Sequence, residues 1–296
     1  MKLKNYAKVI RAKFLVLSVL ITFTATSLAI FEGVFNPFHS LLCFLILILF
    51  HISVNSLNVA RDYKSGIDAE TEKTPFSGGS EVLSSETLGY KSAILVALLS
   101  LGLSLPVFAF FSSKFDPWIV STLFLSAITL VLGYTDIFAK NLLGEISAGI
   151  GLGTLPVLSI FFFQEGSFSI SSILVSASMF IPTFNLLVLN EFPDIDVDRR
   201  HGRKNIPIVL GKKNAVRIYQ LSNLIFTFTI ITLVNLEFIP VFTAFSTIPA
   251  IISLKLGRDI SKNSHSVEIK HMKSNTILTH SIFLLTGLSL TLSSIT

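Results

Sequence analysis

The sequence predicts an all-helical protein that crosses a membrane many times, and three observations predict it. Of 296 residues, 51% are hydrophobic and only 14% charged, with a mean hydropathy of +0.72; soluble domains carry about 25% charged residues. Apolar runs of about 17–25 residues, enough to cross hydrocarbon as a helix, recur along the whole length. The runs are continuous rather than alternating, so helices, not a closed barrel, satisfy the backbone within the bilayer.

Nine spans are expected, near 14–31, 38–60, 89–111, 117–134, 143–163, 169–190, 214–234, 238–256 and 274–293, within one domain covering 1–296. Residues 1–13 form a basic arm. The arm and first apolar run resemble a signal peptide in charge, but no small-residue cleavage site follows, and the run reads as a retained first helix. With nine spans, the arm and the loops after spans two, four, six and eight share one side. All 23 Lys and Arg residues except Lys114 fall there. That bias places the N-terminus and these loops in the cytoplasm and the C-terminus opposite. The net charge of +5 therefore reports topology. The bilayer is the expected surroundings, with no nucleic acid and no obligatory protein partner. The single cysteine, Cys43, excludes an internal disulfide and a cysteine-rich metal site, and the six His residues show no ligand spacing.

Two long loops on the basic side, 61–88 and 191–213, carry acidic clusters. The first is N-V-A-R-D-Y-K-S-G-I-D, from Asn58 to Asp68; the second is N-E-F-P-D-I-D-V-D, from Asn190 to Asp198. Each opens with Asn and places Asp four residues on, and the second lies 132 positions after the first, a faint internal repeat. On a helix, residues i and i+4 share a face. Asn58 and Asp62 should therefore project together, as should Asn190, Asp194 and Asp198 unless Pro193 bends the stretch. An Asp at a helix centre in the membrane costs about 2.5–3.5 kcal/mol, so such acids mark function. Oxygen-only donors suit magnesium, which keeps waters and phosphate oxygens as further ligands. Asn58, Asp62, Asp68, Asn190, Asp194 and Asp198 are the candidate metal ligands, arranged to clamp a diphosphate between two clusters. Asp196, Glu70 and Glu72 break the spacing and read as solvated charges. Ser77, Gly78, Gly79 and Ser80 read either as a flexible turn or as a backbone nest for phosphate. An ion-coupled transporter is the alternative class; against it, the acids gather at one side and the opposite loops are short.

These motifs, after the second and sixth of nine spans, resemble the UbiA superfamily of intramembrane prenyltransferases over nearly the whole chain. D-Y-K-S-G-I-D (62–68), T-P-F-S-G-G-S-E-V-L (74–83), Gly144-Glu145 with G-T-L-P-V-L (153–158), and G-R-K-N-I-P-I-V-L-G (202–211) are similar to the branch containing 1,4-dihydroxy-2-naphthoate prenyltransferase. N-E-F-P-D departs from the N-x-x-R-D usual in that branch.

The resemblance implies nine helices around a central cavity with a cap on the cytoplasmic side. It implies magnesium-dependent transfer of an isoprenyl group from a polyprenyl diphosphate to an aromatic acceptor. Dihydroxynaphthoate, in menaquinone synthesis, is the expected acceptor; a hydroxybenzoate, homogentisate, a glycerol-phosphate lipid or a porphyrin stays open. Asp62, Asp68, Asp194 and Asp198 would be the catalytic carboxylates. Arg61, Tyr134, Lys140, Arg203 and Lys204 would bind the diphosphate. Arg11 lies near the same end without an assigned role, Glu145 either supports the site or faces the acceptor, and the general base is unassigned. Some of the 27 Phe residues would line a prenyl channel, where their faces can stabilise an allylic cation.

Overall fold

The computed structural model of the protein describes residues 2–71, 83, 89–263 and 265–295. The described residues form helices and turns, with no strand among them. In chain order the helices are α1 (Lys2–Val9), α2 (Val16–Phe31), α3 (Pro37–Ser65), α4 (Ile67–Glu70), α5 (Tyr90–Lys114), α6 (Pro117–Gly133), α7 (Gly144–Gly149), α8 (Leu155–Glu165), α9 (Ile170–Ser178), α10 (Phe180–Asn190), α11 (Ile195–Arg200), α12 (Ile206–Val209), α13 (Gly211–Asn235), α14 (Thr247–Lys262) and α15 (Ile269–Ser293). Seven helical stretches among the described residues are long and apolar enough to cross a membrane: Ala12–Phe31, Pro37–Ser65, Tyr90–Lys114, Gly144–Glu165, Ile170–Asn190, Gly211–Asn235 and Ile269–Ser293. The fourth and eighth expected spans correspond to the shorter helices α6 and α14, of 17 and 16 residues.

Local chemistry sets the helix starts at the end remote from the acidic motifs. Asn36 accepts from the amides of Phe38 and His39, and Pro37 occupies the first turn of α3. Asp116 and Pro117 do the same for α6. Ser169 and Ser172 cap α9 reciprocally. A side-chain acceptor satisfies amides with no intrahelical partner, and Pro has none to satisfy.

Proline also explains the irregularities within spans. Pro182 has no N–H for the Ser178 carbonyl, and the sixth span is broken between α9 and α10. Pro156 follows a π turn, Ile150–Thr154, joining α7 to α8. The helix of the eighth expected span, α14, begins later than the apolar pattern suggests. A 3-10 turn, Val241–Ser246, precedes it, and it continues through the polar Arg258–Lys262 stretch. Charges end an apolar window but do not end a helix.

The spans pack as α3 on α5, α2 on α15 and α8, and α13 on α14. Small residues allow the closest approaches. A Cβ added at Gly153 would lie 2.3 Å from the Met179 carbonyl oxygen, where the π turn meets the α9–α10 break. The main core gathers Ile21, Leu28, Phe111, Phe161, Phe226 and Phe283. A second cluster of Leu189, Phe192, Ile195, Val216 and Tyr219 supports the second acidic motif.

Candidate active site

A cavity opens at the end of the helices that carries both acidic motifs. Asn58, Asp62, Asp68, Asn190, Asp194 and Asp198 all line it. Its deeper wall is mainly aliphatic and aromatic, with His51, Ser159 and His280 among the few polar groups.

Helix α3 runs five residues past its expected end at residue 60, which keeps Asn58 and Asp62 on one helical face. Gly66 then ends the helix with φ +84°, in the left-handed region that a side chain disfavours. The reversal starts α4 and returns Asp68 to the cavity wall, buried. The six-residue step from Asp62 to Asp68 thus spans a turn rather than a helix face. In the second motif α10 ends at Asn190, a turn containing Pro193 follows, and Asp194 occupies the N-cap position of α11. The Asp198 amide donates to the Asp194 carbonyl at 2.8 Å, so these two acids keep helical spacing beyond the break.

Arg203 joins the motifs. Its guanidinium is hydrogen-bonded to Asp62, and its Nη1 lies 3.2 Å from Oδ1 of Asp198. Burial works against the charge on Arg203, but Asp62 and Asp198 outweigh it and hold the group firmly protonated. Burial pushes the Asp198 carboxyl up, against the pull of Arg203. Asn205 steadies the same segment: its Oδ1 caps α12 through the Ile208 amide at 3.0 Å, and its Nδ2 lies 3.4 Å from Oδ2 of Asp198. Glu145, fully buried, accepts from the Ile206 amide at 2.5 Å. Beside it, Glu191 lines the cavity; burial, then the neighbouring Glu145 carboxyl, push Glu191 well above the usual carboxylate range.

The other expected diphosphate ligands divide. Tyr134 lines the cavity. Arg61 forms an ion pair with Asp136, Nε to Oδ2 2.7 Å, and does not line it. Lys140 and Lys204 are exposed and also off the cavity wall. Arg11, in the N-terminal arm, does line it. Outside the mouth, Glu70 of α4 is bonded to Arg200 (2.8 Å) and His201 (3.2 Å), tying the two short helices together. Glu72 and the Ser77–Ser80 stretch lie outside the described residues.

Sequence reading passed over Asn205 and Glu191. Asn205 was visible as an N-cap residue followed by Ile-Pro. Glu191 stood inside the quoted motif, but nothing in its spacing set it apart.

Oxygen donors from two motifs meet at the mouth of an apolar cavity, an arrangement suited to holding a charged head while an apolar tail lies below. The model of the UbiA prenyltransferase family matches residues 18–277. The chain is 27% identical to the 1,4-dihydroxy-2-naphthoate octaprenyltransferase of Bacillus subtilis over 58% of this chain, and the match spans about half, 54%, of that relative's length. Its fold resembles a UbiA homologue from Aeropyrum pernix, with TM-score 0.66, 14% identity and coverage of 95% and 98% of the two chains. It also resembles a UbiA homologue from Archaeoglobus fulgidus whose structure was solved bound to DMAPP and Mg2+, with TM-score 0.62, 14% identity and coverage of 97% and 99%. The chain, a multi-pass membrane protein by its apolar helices, belongs to the UbiA prenyltransferase family.

Proposed function

We propose that the protein is a magnesium-dependent transferase that moves an isoprenyl group from a polyprenyl diphosphate to an aromatic acceptor, 1,4-dihydroxy-2-naphthoate, and releases diphosphate. One observation carries this reading: Asp62 and Asp198, one from each acidic motif, are brought onto a single cation, Arg203, at the mouth of an apolar cavity. The relative from Bacillus subtilis supports the acceptor, and the Archaeoglobus fulgidus homologue supports the donor class and the metal. In this reading nine helices cross the bilayer, α6 and α14 included. The mouth faces the cytoplasm, capped by α4 and α11.

The residues fit magnesium. The donors are hard oxygens, and the buried Oδ1 of Asn190 has no hydrogen-bond partner. Among the described residues, no three Asp, Glu, His or Cys side chains are grouped closely enough to hold an ion by themselves. Asn58, Asp62, Asp68, Asn190, Asp194 and Asp198 would therefore hold it together with diphosphate oxygens and water, as magnesium prefers. Once bound, magnesium would supply positive charge to the departing diphosphate.

The chain's own groups do the rest. Arg203 stands between the motifs, where the diphosphate must lie, and donates to it. Tyr134 and Arg11 border the same space. The aromatic wall below shields the allylic cation from water. The bond to diphosphate breaks first and its electron pair leaves with the diphosphate; the acceptor ring then attacks the first carbon of the allylic cation and gives up its ring proton.

The test is transfer by purified protein in detergent, with geranylgeranyl diphosphate and 1,4-dihydroxy-2-naphthoate, with and without magnesium. Product should require magnesium and be lost in Asp62→Ala and Asp194→Ala. Diphosphate release without a naphthoate product would transfer the reading to another acceptor. Absence of both binding and cleavage for every allylic diphosphate would refute it.

A further inference from the structure

The cavity has a built floor, and its depth can be read from two walls. On α3 the lining runs from Asp62 down to Cys43; on the α7–α8 span it runs from Ser147 to Phe163. At 1.5 Å per residue these are about 28 and 24 Å. On α5 only Phe108 and Phe111 reach the cavity, both near the deep end.

There the rings of Phe111 and Phe163 stack, centroids 4.2 Å apart and planes 13° apart. Phe111 is fully buried and Phe163 nearly so. Behind them, Phe115 stacks on Phe111 at 6.1 Å, and His39 meets Phe111 edge-on at 5.6 Å. Aromatic pairs so supported resist displacement, because each ring loses contacts if it moves. Higher up, Phe124 packs against Phe50 at 5.4 Å and Phe108 at 4.5 Å, forming a continuous aromatic side wall.

We infer that the Phe111–Phe163 stack is a chain-length stop, and that the cavity takes a prenyl diphosphate of about four isoprene units rather than one of about eight. The inference rests on the transferase reading above. With the diphosphate at Asp62, the prenyl chain begins about one helical turn lower, beside Asn58. From Asn58 to Cys43 along α3 is about 22 Å. An extended chain advances about 1.2 Å per bond, as in an extended polypeptide. Four bonds per isoprene unit then take about 5 Å, and about four units fill the depth.

The experiment measures kcat/KM for diphosphates of two to eight isoprene units with one acceptor, for wild type, Phe163→Ala, Phe111→Ala and Ala127→Phe. Ala127 lines the cavity on α6 above the floor, so its variant tests the same idea by raising the stop. Wild type should peak near four units and fall by at least about tenfold at eight. The ratio of six-unit to two-unit turnover should rise at least about tenfold in either Phe variant, and the optimum of Ala127→Phe should move to shorter donors. Using a ratio within each variant cancels loss of folded protein. Equal turnover from three to eight units, or a wild-type optimum at eight, overturns the stop while leaving the transferase reading intact. Unmoved profiles in all three variants overturn it as well. Transfer from no donor at all overturns both.

Discussion

Asp62 and Asp198, far apart in sequence, bind the same guanidinium, that of Arg203. The pairing sets the distance between the two acidic motifs and places a positive charge where the reading above requires magnesium and diphosphate. Two buried carboxylates that approach each other need a cation, and Arg203 supplies it.

Arg203→Ala should therefore destabilise the metal-free protein. Removing one partner leaves buried charge uncompensated, at a cost of about 3–5 kcal/mol. Magnesium should restore part of that loss, and more of it than in wild type, because the freed carboxylates gain most from an ion. Thermal unfolding in detergent, with and without magnesium, checks this. Equal magnesium-induced shifts in Tm for variant and wild type would count against the shared-cation account. Transfer should fall about 10²–10³-fold even with magnesium saturating, since a donor to the leaving group is gone.

Glu145 holds the Arg203 segment from below through the Ile206 amide. Glu145→Ala leaves that buried amide without an acceptor, worth about 1–3 kcal/mol. Glu145→Gln keeps an acceptor oxygen in place. The Ala variant should lower Tm and raise KM for the diphosphate, and the Gln variant should do neither to the same extent. If both variants behave alike, the carboxylate charge matters and the amide contact does not.

The contact between α4 and α11 should depend on pH. The Glu70 carboxyl is held below its ordinary value of 4.5, first by its hydrogen bond to Arg200 and then by that to His201. A depressed carboxylate contributes fully above its unfolded pKa and loses its contribution as pH falls through the folded value. The contact is thus complete at neutral pH and weakens below about pH 4.5. Both partners are exposed, so the effect is local. The protection factors of the Ala69 and Thr71 amides, which donate to Gly66 and Ile67, should fall in acid in wild type once the intrinsic slowing of exchange is divided out. In Glu70→Gln they should already be low at neutral pH.

The helices were legible because their signals are local. Apolar runs mark the spans, and Asn36-Pro37 and Asp116-Pro117 mark two starts by the chemistry of their own side chains. The acids of the site were legible because Asn-x-x-x-Asp occurs twice. What stayed hidden was set by distance in space. The stretch Arg199–Lys204 offers three arginines besides Lys204, and only the packing of α11 against α4 puts Arg203, rather than Arg200, between the motifs. Arg61, expected beside the diphosphate, is paired with Asp136 of the turn after α6, a neighbour that lies 75 residues away in the sequence. The π turn before Pro156 replaces one helical hydrogen-bond pattern by another and leaves the apolar run unchanged, so hydropathy could not reveal it.

Gly66 supplies the last prediction. A Cβ there would meet only His201 Cε1, at an ordinary 3.8 Å, so space does not forbid a side chain. Its φ of +84° does. Gly66→Ala should cost about 1–2 kcal/mol if the turn is kept, or move α4 if it is not. In the second case Asp68 leaves the cavity wall while Asn58 and Asp62, on the intact helix, remain. Transfer should then demand more magnesium, with the concentration for half-maximal rate raised about tenfold, the loss of roughly one ligand contact worth 1.4 kcal/mol. Gly66→Asn tolerates the left-handed conformation better than Ala and should recover part of both stability and magnesium affinity. An Asn variant no better than the Ala variant would show that the turn's geometry is not what brings Asp68 into the site.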